Sequence, residues 1–130
     1  MQRIASIAVA LMGLLHVYIM VLEMFFWNTA YGMRVFGIAP QLAADSVMLA
    51  ANQGLYNGFL AAGLFWGLMY SSKVSGYHIQ LFFLACIFVA GIYGAVTAKF
   101  SILFVQTVPA AIVVALVVVA MQKRHSHQNA

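Results

Sequence analysis

The sequence predicts an all-α membrane protein, a bundle of four transmembrane helices with an 18-residue outer loop between the first and the second. Three observations carry this. Of 130 residues, 65% are hydrophobic and only 6% are charged. A soluble domain of this length has about a quarter of its residues charged, so eight formal charges cannot clothe a surface that faces water. The apolar residues fall into four stretches of spanning length, at about 20 residues per crossing. The six basic residues, in a chain of net charge +4, stand singly or at the ends of these stretches. They make no basic stripe, so nucleic acid is not an expected partner, and they read as topology anchors at a lipid bilayer.

The first span covers about 4–28, preceded by Arg3 and closed by Phe25, Phe26, Trp27 and Tyr31, aromatic residues suited to a headgroup boundary. Its apolar run contains Glu23 and is followed by three further spans, a pattern unlike a cleavable signal peptide. Residues 29–46 hold Gly32, Gly37, Pro40, Arg34 and Asp45, the composition of a loop. The second span covers about 47–70, and a short turn, 71–76, leads into a third at about 77–98. Lys99 marks a tight turn into the fourth, about 101–121, which contains Pro109; a polar tail, 122–130, follows. Arg3, Lys73, Lys123 and Arg124 share the side of the termini, against Arg34 and Lys99 on the other. The positive-inside rule therefore places both termini in the cytoplasm.

Sorting the polar residues by depth, at about 1.5 Å per residue, gathers them at one level. Glu23 and Trp27 lie near the outer end of the first helix, and Asn52, Gln53, Tyr56 and Asn57 occupy the outer half of the second. Tyr93 and Thr97 close the third helix at that level, and Gln106 opens the fourth. The expectation is a polar cavity in the outer half of the bundle, roofed by the 29–46 loop and floored by apolar residues. Asn52 with Tyr56 and Gln53 with Asn57 are i, i+4 pairs. Gly54 and Gly58 form a GxxxG step among them, which lets helix backbones approach closely in lipid.

Amides inside a membrane often serve only as hydrogen-bonding glue between helices. Glu23 differs, because an ionisable carboxyl within a span is costly enough to suggest function. It and His16, seven residues earlier on the same helical face, are the candidate catalytic residues. They stand roughly 10 Å apart along the axis and cannot bond each other directly. Haem ligation by His16 and His78 is excluded by their different depths, and no three metal ligands gather, so neither a metal nor another cofactor is expected. Lone Cys86 reads as a buried thiol.

The strings HVYIMVLEMFFW (16–27), RVFG (34–37), LAANQGLYNGFLAAGL (49–64), GIYGAVT (91–97) and QTVPA (106–110) resemble a bacterial integral-membrane family known as domain of unknown function 1304. The resemblance implies a four-helix inner-membrane protein and carries no established reaction. Its pattern falls on His16, Glu23, Asn52, Gln53, Tyr56, Asn57 and Gln106.

Three functional readings follow. The cavity holds a small lipophilic ligand, in a binding or transporter-like protein, contacted by Glu23, Trp27, Asn52, Gln53, Tyr56, Asn57, Tyr93, Thr97 and Gln106. Alternatively, Glu23 moves a proton on a lipophilic substrate, as in a membrane-embedded isomerase. In the third reading the chain is a structural or accessory subunit whose polar residues lock helices together, and an oligomer is compatible with each. Cysteines introduced at 34 and 99 are expected to react with an impermeant maleimide added to intact cells; labelling only from the cytoplasmic face reverses the topology.

Overall fold

The structure is a computed structural model that describes residues 1–70 and 73–128. All regular structure among the described residues is helical. The elements are α1 (Gln2–Val21), a π-helical turn (Leu22–Phe26), α2 (Ala30–Phe36), α3 (Pro40–Asp45), α4 (Val47–Met69), α5 (Lys73–Thr97), a second π-helical turn (Leu103–Thr107) and α6 (Val108–Gln128). Three helical segments are long and apolar enough to cross a membrane: Gln2–Phe26, Lys73–Thr97 and Leu103–Arg124. Only 22–28% of each of these is buried. Large apolar side chains such as Leu11, Phe82, Val89 and Val96 are exposed along them, far more outward apolar surface than a soluble monomer tolerates. Helix α4 has the length, 23 residues, but differs from those three in its cluster of three side-chain amides, Asn52, Gln53 and Asn57.

The chain divides into two compact units, Leu14–Ala61 and Met1–Gly13 with Ala62–Ala130. In the second of these, α5 packs against the second π turn and α6. Leu84 and Ile87 on α5 and Val113, Val117 and Ala120 on α6 are buried. Glycines set the close approaches. A Cβ on Gly76 would stand 2.6 Å from the Gly67 carbonyl oxygen, so the end of α4 and the start of α5 meet backbone to backbone. Gln80 completes the contact, its Nε2 donating to the Gly67 carbonyl at 3.0 Å in a buried position. In lipid such a bond joins helices where no hydrophobic drive exists.

Several boundaries differ from the sequence expectations, each for a local reason. The 29–46 segment is not an open loop but two short helices, because its glycine and proline punctuate helices. Thr29 caps α2, its hydroxyl accepting from Gly32 N–H at 3.1 Å, Gly37 ends it at φ 65°, and Pro40 stands in the first turn of α3. In the expected 71–76 turn, 71 and 72 lie outside the described residues, and α5 begins at Lys73, several residues before the expected start. The expected tail is helical through Gln128. At the start of the fourth stretch the helix takes up a π turn, with Val108 N–H donating to the Leu103 carbonyl five residues back. Pro109 follows directly; it has no N–H, and its ring crowds the carbonyl four residues before it, which disfavours a regular α-turn there.

Replacing Gly76 by Ala forces the Gly67 carbonyl to move and is expected to cost about 1–3 kcal/mol, seen as a lower melting temperature in detergent.

Candidate functional site

Glu23 and Asn57 meet inside the Leu14–Ala61 unit. The approach is set by glycine: a Cβ on Gly54 would stand 3.0 Å from the Met20 carbonyl oxygen and 3.1 Å from Glu23 Cβ, and one on Gly58 would stand 2.7 Å from Met20 Sδ. The GxxxG step thus seats α4 directly on the last turns of α1 and the π turn that carries Glu23. At that contact Asn57 Nδ2 donates to Glu23 Oε2 at 2.8 Å and to the Gln53 carbonyl at 3.2 Å. Both amide hydrogens are used, which fixes the amide's orientation. Asn57 is 2% exposed and Glu23 9%. No ligand fits between this oxygen and this amide, so the expected cavity does not separate Glu23 from Asn57. The other carboxyl oxygen, Oε1, takes no hydrogen bond from the described residues, and the residue keeps a small exposed surface. Glu23 stands on a π turn, and π turns recur at functional sites.

The other amides and the phenol of α4 do not converge on this contact. At about 100° per residue, Asn52 lies roughly 140° around the helix from Asn57. Asn52, Gln53 and Tyr56 are exposed while Ala50, Gly54 and Asn57 are buried. The four polar residues therefore divide between two faces, and only Asn57 turns to Glu23. His16 is fully buried on α1.

Trp27 serves the connecting segment. Its Nε1 donates to Ser46 Oγ at 3.0 Å and its ring packs on Phe36 at 4.7 Å between centroids. That bond ties the chain before α2 to the residue between α3 and α4, so the indole donor expected at a ligand is already used. Tyr18 and Tyr31 add a second tie, hydroxyl to hydroxyl at 2.8 Å, and the Arg34 guanidinium lies 5.8 Å from the Tyr31 ring centroid. Sequence reasoning missed Ser46, Phe36 and the tyrosine pair. A serine just before an apolar helical run was a signal for Ser46; the partners of Phe36, Tyr18 and Tyr31 had none, being set by how the chain doubles back.

Tyr93, Thr97 and Gln106 belong to the other unit. Tyr93 is exposed, Thr97 Oγ1 donates back to the Tyr93 carbonyl at 2.7 Å, and Gln106 is half-buried in the second π turn. Thr107, beside it, is buried against Gly91, and its hydroxyl has no hydrogen-bond partner among the described residues. Cys86 is half-buried rather than sealed in, on an open apolar groove that includes Phe82 and Val89. Among the described residues no three His, Cys, Asp or Glu side chains gather as metal ligands would.

These features define a class, a helical protein with three segments long and apolar enough to span a membrane and a carboxyl–amide pair buried between two helices. The chain belongs to the family described as protein of unknown function (DUF1304), whose model matches residues 10–119. It is similar to an uncharacterized protein, YpaA, of Lactococcus lactis subsp. lactis (strain IL1403), with 34% identity over 91 residues, covering 68% of this chain and 75% of that protein. No solved structure matches it.

Asn57→Ala leaves Glu23 Oε2 without its donor and is expected to destabilise the protein by about 1–3 kcal/mol in detergent thermal melts. Glu23→Gln, whose side-chain carbonyl still accepts from Asn57, should cost less than about 1 kcal/mol.

Proposed function

We propose that the chain is a multi-pass protein of the bacterial inner membrane in which α1, α4, α5 and α6 all cross the bilayer with both termini cytoplasmic, and that Glu23 anchors a small lipophilic molecule bearing a hydrogen-bond donor. Helix α4, at 23 residues and about 1.5 Å per residue, is long enough to cross. Its most buried amide, Asn57, has both hydrogens satisfied, which makes burial in lipid affordable. The carrying observation is the half-used carboxyl. Oε2 is held by Asn57, while Oε1 takes no hydrogen bond from the described residues, in a side chain that is 9% exposed. A carboxyl oxygen left open inside a span is an acceptor waiting for a hydroxyl or an amine, because nothing in hydrocarbon can serve it. The side chains of Met20 and Met24, packed against Gly58 and Gly54, supply apolar surface nearby. Binding, with or without transport, needs no more than this.

The isomerase reading has less support. The group beside Glu23 is an amide, which is no proton carrier, and His16 is seven residues away along α1. A structural role has one observation in its favour, the same Glu23–Asn57 bond, since that bond alone would hold two helices together.

Glu23→Gln separates the two. Its carbonyl keeps the bond to Asn57, so its amide nitrogen takes the place of Oε1 and presents a donor where the ligand's donor must dock. Native mass spectrometry of the purified protein should show a bound small molecule whose occupancy falls at least about tenfold in Glu23→Gln, at nearly unchanged melting temperature. Equal spectra for the two proteins, with no bound species in either, leave the helix lock as the reading.

A further inference from the structure

The outward face of α4 carries a second polar cluster that the Glu23 site does not use. Met48, Asn52, Leu55, Tyr56 and Phe59 recur at helical spacing and all are exposed. Across the helix from them Ala50, Gly54, Asn57 and Ala61 are buried. The stripe is mostly apolar, and Tyr56 and Phe59 stack along it with ring centroids 6.3 Å apart. At its centre, however, stands the Asn52 carboxamide, with no hydrogen-bond partner among the described residues, and one turn on is the Tyr56 hydroxyl, also without one. A helix face that is apolar enough for lipid yet holds an unsatisfied amide is incomplete, because hydrocarbon offers that amide nothing.

We propose that this face is where a second copy of the chain docks, in a parallel two-fold pair of α4 helices joined through Asn52. The chemistry of the group selects the occupant. A carboxamide has two donor hydrogens and a carbonyl acceptor, so the same residue on a two-fold related copy satisfies both halves of it. A headgroup phosphate, which only accepts, would leave Asn52 Oδ1 without a donor. Tyr56 lies about 6 Å further along the helix and provides a second donor and acceptor at the same seam, while Met48, Leu55 and Phe59 supply apolar contact around the amides. In this arrangement the outward amide joins copies, and the inward one, Asn57, holds α4 to Glu23. The pairing rests on α4 being a membrane helix, and the test keeps the two apart.

The full-length protein with Cys86→Ala and Met48→Cys, oxidised in native membranes, reports on the seam, because position 48 lies on the stripe one turn from Asn52. Impermeant maleimide labelling of single cysteines at positions 47 and 69, the two ends of α4, reports on whether that helix crosses. The expected result is labelling of the two positions from opposite faces of the membrane and a disulfide-linked dimer, with Leu14→Cys, exposed on α1, giving little. Adding Asn52→Leu should lower the linked fraction under limiting oxidation by about three- to thirtyfold, the effect of losing an interhelical amide bond, while helix content and melting temperature stay unchanged. Labelling from opposite faces with no Met48 link, equal linking from Leu14→Cys, or a linked fraction indifferent to Asn52→Leu overturns the pairing alone. Labelling of positions 47 and 69 from the same face overturns the membrane placement of α4 and the pairing with it.

Discussion

A carboxyl cannot be put between two helices, away from water, without something to receive it, and the Asn57 amide receives Glu23 at 2.8 Å. Other features of the Leu14–Ala61 unit serve that bond. Gly54 and Gly58 remove the side chains that would hold α4 away from Met20 and Glu23. The π turn at Leu22–Phe26 carries the carboxyl at the end of α1, and the Trp27–Ser46 bond ties the ends of the connecting segment before and after its two short helices. In water the bond would be a modest term. In hydrocarbon it matters more through the cost of its absence, since a lone carboxyl or a lone amide there has no solvent to fall back on.

The same constraint explains why two amides five residues apart on one helix have different surroundings. A helix turns through about 100° per residue, so Asn52 and Asn57 cannot face the same neighbour. Asn57 is satisfied within the chain, and Asn52 is exposed. The division of α4 into an inward and an outward polar face leaves one amide joining helices and the other exposed. Gln80 repeats the inward solution in the other unit, closing on the Gly67 carbonyl where two glycines let backbones touch.

Much of the candidate site was legible in the sequence. Glu23 announces itself as one of two acidic residues in the chain and the one that falls within a span, and the GxxxG step marks where a helix can come close. What depth did not reveal was azimuth. Residues at one level in a bundle can point in any direction, and sorting by level alone merged Asn52, Gln53, Tyr56 and Asn57 into one surface. Burial then divided them. Depth was equally silent on Trp27, whose indole has one donor that Ser46, nineteen residues on, receives. Gly37 and Pro40 were read as breakers, whereas Gly37 ends one short helix and Pro40 begins the next, so the segment is more ordered than its composition suggests.

Composition by itself pointed to lipid as the solvent. With 65% hydrophobic residues and 6% charged, the chain has too few charges for a watery surface, and the apolar runs between them dictate helices because only helices satisfy their own backbone in lipid. Family membership also lay in the sequence, in strings such as NQGLYNGFLAAG. The pairing of Glu23 with Asn57 was decided only by tertiary structure. Those residues are thirty-four apart in the chain, and whether an amide turns toward a carboxyl or away from it depends on how far each helix is rotated about its own axis. That rotation is set by packing at Met20, Gly54 and Gly58, contacts between distant segments that no local pattern records.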